Sequence, residues 1–127
     1  MGSTKDVPGV RRYVAVDGGM GDNIRPKLYG ARYEVVLASA PDAPPDGVVT
    51  VAGKYCESTD VLVADAPLPA VGPGDVLCVP AAGAYCLAMA SNYNGMPRPA
   101  VVMVRDGAAR LIRRRETPAD LLAAEVL

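Results

Sequence analysis

The chain has 127 residues, enough for one domain with its own core but too few for a TIM barrel, which needs about 250. Its 13 basic and 14 acidic side chains leave a net charge of -1, which argues against nucleic acid or an anionic membrane surface as a partner. Half of the residues are apolar, yet Phe, Trp and His are missing, so a core has to be built from Val, Ala, Leu, Met and Tyr.

Met1 to Gly9 is polar and ends in the turn signal Pro8-Gly9, so it reads as the tail of a strand. Arg11 to Val16 is a short β-branched and aromatic run that stops at Asp17-Gly18-Gly19, a strand ending in a tight turn. Asp22 to Gly30 mixes turn residues with Arg25 and Tyr29; on one helical turn these two share a face, with Pro26 in its opening position. Such a pair can clamp a carboxylate, and it can equally be a loop surface. Tyr33 to Ala38 is the next strand, followed by a Pro/Ala/Asp connection from Ser39 to Gly47.

Val48 to Ala52 is a strand that leads into Gly53-Lys54-Tyr55-Cys56-Glu57-Ser58-Thr59-Asp60. There a thiol and two carboxylates crowd together on a segment leaving a strand. Cys56 and Glu57 can present a proton donor and an ammonium-binding carboxylate to one pocket, or the stretch is a polar turn with an incidental cysteine. Val61 to Ala64 and Val76 to Pro80 are further strands, separated by the proline-punctuated segment Ala66 to Asp75. Ala81 to Gly95 favours a short helix stopped by Asn94-Gly95. Its first turn would carry Tyr85 beside backbone N–H groups able to meet an anion, while Tyr85, Met89 and Tyr93, spaced by four, could as well pack on a sheet. Ala100 to Val104 and Ala109 to Arg113, joined through Asp106-Gly107, form a hairpin. Arg113-Arg114-Arg115 reads as a solvated strand end, and Thr117-Pro118 starts a helix over Leu121 to Val126.

Short strands closely spaced by turns predict a mainly β fold, an antiparallel β-sandwich or Greek-key barrel with one or two short helices. Cys56, Cys78 and Cys86 are odd in number and lack CxxC spacing, which indicates neither a disulfide framework nor a structural metal site, and suggests a reduced, cytoplasmic compartment. No apolar run approaches the roughly 18 residues of a membrane span, and no signal core follows the N-terminus, so a soluble protein that is not exported is expected.

Four motifs in order carry a resemblance. Asp17-Gly18-Gly19-Met20 with Asp22-Asn23, Arg25-Pro26 with Leu28-Tyr29, Gly53 to Ser58 with Asp60, and Gly83-Ala84-Tyr85 running to Ser91-Asn92-Tyr93-Asn94 resemble the C-terminal half of the diaminopimelate decarboxylase family. The likeness runs from about Lys5 to Leu121. This family belongs to the fold-III pyridoxal-phosphate decarboxylases, which join an N-terminal TIM barrel to a C-terminal β-domain. They convert meso-2,6-diaminopimelate to L-lysine and carbon dioxide, as dimers with sites shared between subunits.

The resemblance implies one C-terminal-type β-domain over residues 1–127, with the barrel lying outside it. It implies pyridoxal 5'-phosphate as cofactor, held by a barrel lysine; Lys5, Lys27 and Lys54 do not match that lysine's context. Its partners would be an amino-acid substrate, the TIM-barrel half and a second copy in a homodimer. By the same resemblance Cys56 is the proton donor, Glu57 binds a substrate ammonium, Arg25 and Tyr29 bind the distal carboxylate, and Tyr85 touches cofactor and substrate. Cys56 and Glu57 would reach into the neighbouring subunit's site. Thr59 stands where the family usually has Gly, which would strain the turn if that position needs a positive φ. A lone chain is expected to be inactive. The alternative is a stand-alone or remnant β-domain that serves only dimerisation or binding.

Overall fold

In a computed structural model describing residues 1–126, the chain is mainly sheet with a few short helices. Strands β1 (Ser3–Val7), β2 (Arg11–Ala15), β4 (Gly47–Ala52) and β5 (Val61–Leu68) make the largest sheet, in the order β1-β2-β4-β5. Strands β3 (Val36–Leu37) and β6 (Leu77–Cys78) form a second, minimal pair, and β7 (Val101–Arg105) with β8 (Ala108–Arg113) a separate hairpin. Helices α1 (Arg25–Tyr29), α2 (Gly83–Met89) and α3 (Pro118–Leu121) are short, and a 3₁₀ turn covers Tyr93–Gly95.

The expectation of antiparallel pairing throughout fails at one seam. β2 and β4 run parallel, with Val14 opposite Val51. The described residues form three separate sheets without a closed barrel. Sequence patterning could not show this, because a period of two reports which face is buried and says nothing of a neighbour's direction. The parallel seam matters for the site. It places the C-terminal ends of β2 and β4 side by side, so the loops that leave them, after Ala15 and after Ala52, start from the same end of the sheet. Val16 continues the seam, its N–H donating to the Ala52 carbonyl at 3.0 Å.

The core lies on this sheet and contains no Phe or Trp: Val14, Val35, Val49, Val51, Leu62, Val63, Ala66 and Leu68 are buried together. β5 runs on through Pro67 to Leu68, past the point where the prolines suggested it would stop. It can do so because it is an edge strand, where a residue without an N–H leaves no neighbour unpaired. Asp65, at φ 52°, absorbs the irregularity where the β4–β5 register shifts. The two flanking strands expected over Tyr33 to Ala38 and Val76 to Pro80 shrink to two residues each. The hairpin is as predicted, with Asp106 and Gly107 at φ 50° and 75°, the left-handed pair a two-residue turn requires.

At the C-terminal side, α3 begins at Thr117 and Pro118 as expected but ends at Leu121, well short of Val126. Arg114 does not merely face solvent: its guanidinium forks onto Asp120 with bonds of 2.7 and 2.6 Å. A second fork ties the hairpin's exit to the turn before it. Glu116 accepts from the Arg98 Nε–H at 2.6 Å, the Arg98 backbone N–H at 2.8 Å and the Asn92 amide at 2.7 Å. These donors, the Arg98 side chain first, hold the Glu116 carboxyl down from 4.5 to about 2. A carboxyl depressed in the folded state stabilises it above the unfolded value and loses that contribution as pH falls. Thermal unfolding of wild type and Glu116→Gln should therefore differ at pH 7 and converge as pH drops from 4.5 toward about 2. A gap that stays constant across that window would contradict the clamp.

Candidate functional site

The loop after β2 and the loop joining β4 to β5 are stitched together by one buried carboxylate. Asp60, 4% exposed, accepts the Met20 N–H at 2.6 Å through Oδ1 and the Tyr55 N–H at 2.8 Å through Oδ2. The Lys54 N–H reaches the Gly18 carbonyl at 3.2 Å. Close approach demands glycine here: a Cβ on Gly53 would lie closer than 3.0 Å to both Asp60 oxygens, and one on Gly21 equally close to the Tyr55 hydroxyl. The two glycine-bearing motifs are therefore two halves of one tightly fitted joint.

From this joint the Cys56-Glu57 tip projects outward. Cys56 is exposed. The Glu57 carboxylate accepts the Thr59 N–H at 3.2 Å and hydroxyl at 3.1 Å on Oε1, and the Tyr93 hydroxyl at 3.3 Å on Oε2. The Thr59 backbone bond, then its hydroxyl bond, hold the Glu57 carboxyl below its ordinary value, with Tyr93 and Ser58 adding to the effect. The feared strain at Thr59 is absent, since it is not among the residues with positive φ.

Arg25, Tyr29 and Tyr85 gather in a second cluster. α1 begins without a side-chain cap, has Pro26 in its first turn and stops at Gly30, whose φ of 62° suits glycine. It puts Arg25 and Tyr29 on one face as the spacing suggested. The guanidinium carbon lies 5.2 Å from the Tyr29 ring centre and 4.5 Å from that of Tyr85 on α2. Beneath them, Asn23 Oδ1 accepts the Arg25 N–H at 3.2 Å and the Cys86 thiol at 3.0 Å, tying the start of α1 to α2. The N–H groups of Ala84 and Cys86 are paired with the carbonyls of Ala81 and Ala82, which reduces the donors that the start of α2 could offer an anion. Tyr85 and Tyr93 do not pack on a sheet; they are 62% and 42% exposed.

Among the described residues no hydrogen bond, ion pair or ring contact joins the Cys56–Glu57 tip to the Arg25–Tyr29–Tyr85 cluster. A cleft of about 730 Å³ between α1 and β5 is lined by Pro26, Lys27, Ser58, Thr59 and Asp65 among others, and by none of the five candidate residues. Of the five, Tyr29, Cys56 and Tyr85 are exposed, and Arg25 and Glu57 are half-buried. Sequence reasoning passed over Thr59 and Tyr93 as partners of Glu57: the Thr59 bonds depend on how the local turn folds back, and Tyr93 arrives on a 3₁₀ turn distant in sequence. No membrane-spanning helix is found among the described residues.

Residues 2–83 match the family model of the pyridoxal-dependent decarboxylase C-terminal sheet domain. Diaminopimelate decarboxylase of Bacillus methanolicus is 57% identical over 116 residues, covering 91% of this chain and 27% of that protein. The Bacillus subtilis enzyme of the same name is 53% identical over 126 residues, covering 99% of this chain and 29% of that protein. A crystal structure of diaminopimelate decarboxylase from M. jannaschii in complex with L-lysine superposes with a TM-score of 0.87 at 38% identity, over 99% of this chain and 28% of that one. The chain thus spans between a quarter and a third of the length of the relatives it matches.

Proposed function

The chain belongs to the pyridoxal-dependent decarboxylases, whose C-terminal sheet domain it forms, and on that footing we propose that it is the β-domain of a diaminopimelate decarboxylase. In that role it contributes to conversion of meso-2,6-diaminopimelate to L-lysine and carbon dioxide. The observation that carries the reading is the 57% and 53% identity to diaminopimelate decarboxylases across nearly the whole chain.

Pyridoxal phosphate, when bound, supplies the electron sink for the carbanion left as carbon dioxide departs. The residues of this chain fit it only in part. Tyr85, exposed beside Arg25, is the side chain that would touch it; the lysine that holds it belongs to the barrel. The remaining work falls to side chains at the two clusters. Arg25, with its guanidinium against the faces of Tyr29 and Tyr85, is preset for a planar two-point contact with the distal carboxylate of the substrate. Glu57 holds an ammonium group. Cys56 keeps a proton on Sγ and delivers it to the α-carbon after decarboxylation. The exposure of Cys56, Tyr29 and Tyr85, and the lack of contacts between the two clusters among the described residues, support a site completed by other bodies, the barrel half and a second subunit.

Decarboxylation of meso-diaminopimelate should be measured for the chain alone and mixed with a separately made barrel half, with pyridoxal phosphate present. Activity in the mixture only is expected. Silence in both, with the barrel half shown to be folded and cofactor-loaded, would favour a domain that serves only association. In the active mixture Arg25→Lys should lower kcat/KM about 10- to 100-fold, mainly through KM, because an ammonium keeps the charge but loses the planar fork.

A further inference from the structure

The Glu57 carboxylate is held at both oxygens by neighbours to which the proposed chemistry gives no task. Oε1 meets three donors, the Thr59 N–H at 3.2 Å, the Thr59 hydroxyl at 3.1 Å and the Ser58 hydroxyl at 3.4 Å. An oxygen with two lone pairs has no room for a further partner there. Oε2 meets one donor, the Tyr93 hydroxyl at 3.3 Å, and keeps a lone pair open. The Tyr93 ring is itself anchored. It lies 5.9 Å from the ring of Tyr55, whose N–H is bound by Asp60, and the preceding Asn92 is tied to Glu116.

We propose that Thr59 and Tyr93 are positioning residues for Glu57, which turn it so that Oε2 is the oxygen presented to an ammonium group of a diamino acid. The inference rests on the function proposed above and deepens it by naming what aims the ammonium-binding group. Thr59 occupies its position without backbone strain, and its hydroxyl supplies a bond that glycine could not make. Because the hydroxyls of Thr59 and Tyr93 come from separate elements and bond separate oxygens, removing either loosens the aim of the carboxylate, while the Thr59 N–H and the Ser58 hydroxyl still hold Oε1.

Thr59→Val removes the hydroxyl while keeping the backbone N–H and the branched shape, and Tyr93→Phe removes only the phenol oxygen while keeping the ring. In enzyme assembled from this chain and its barrel half, each is expected to raise KM for meso-diaminopimelate about 3- to 10-fold with kcat within about twofold, and Thr59→Ser to restore KM. In the same assembly with carboxyl-labelled glutamate, the Glu57 signal, assigned through Glu57→Gln, should titrate at higher pH in both variants than in wild type. A Glu57 titration unchanged in both variants overturns the inference whatever the activity, as does an unchanged KM in active enzyme. Silence of the wild-type assembly overturns the proposed function instead, and the titration then still decides whether Thr59 and Tyr93 hold Glu57.

Discussion

Cys56→Ala in the assembled enzyme is expected to lower kcat for meso-diaminopimelate by about 10²- to 10⁴-fold, the range that a positioned proton donor contributes. KM should stay within about threefold, because the thiol is not asked to bind the ground state. The geometry supports this separation of tasks. Cys56 is exposed at the tip of a loop whose base is fixed by Asp60, so deleting a small side chain at the tip removes chemistry without loosening the support. Steady-state kinetics over a range of substrate concentration would check it. Near-normal kcat in Cys56→Ala, with cofactor loading unchanged, would remove Cys56 from the reaction and pass the proton to a group outside this chain.

Asp60→Ala is expected to cost about 3 kcal/mol or more in unfolding free energy. It strands the backbone donors of Met20 and Tyr55 in a buried place, and each unsatisfied group costs about 1–3 kcal/mol. Asp60→Asn should not rescue it. The native side chain accepts at both oxygens, whereas an amide would turn an NH₂ toward one of the two N–H donors. Gly53→Ala should destabilise by a comparable amount, since its Cβ would press on the same carboxylate from the loop's other side. As the two changes damage one joint, the double variant should lose clearly less than the sum of the single losses. Denaturant unfolding of the four proteins measures this cycle. Additive losses would mean that Gly53 and Asp60 act independently.

The chemistry-bearing tip was legible because its signal is local. The strand from Val48 to Ala52, the crowding of Cys56, Glu57 and Asp60 and the Asp106-Gly107 hairpin turn all lie in short stretches, and the helical face shared by Arg25 and Tyr29 follows from a spacing of four. Most of what stayed hidden depends on partners far along the chain. The direction of β2 relative to β4, the extension of β5 through Pro67, and the bond from Tyr93 to Glu57 follow from tertiary placement. Thr59 was missed for a local reason, since the backbone conformation of the turn decides where its hydroxyl points. By sequence it was a misfit in a turn that favours glycine, whereas the backbone gives it an ordinary φ and Glu57 gives its hydroxyl a partner. Of the two readings left open for Tyr85, Met89 and Tyr93, packing on a sheet fails for the tyrosines: Tyr85 is exposed, and the end of α2 at Met89 takes Tyr93 off the helical face.

The parallel seam also sets an order of assembly. The β1–β2 and β4–β5 pairs join strands that follow each other closely or nearly so, and each can zip from its own turn. Joining β2 to β4 must instead close a long intervening stretch that includes α1, and such closure is entropically slow to arrive. The Cys56 loop is the connection within the β4–β5 pair, so its Tyr55–Asp60 bond is available early. The Met20–Asp60 bond is not. During folding the reactive tip would therefore exist first as a loosely held hairpin loop, gain a fixed base only when the seam shuts and Met20 arrives, and its final aim when Tyr93 reaches Glu57.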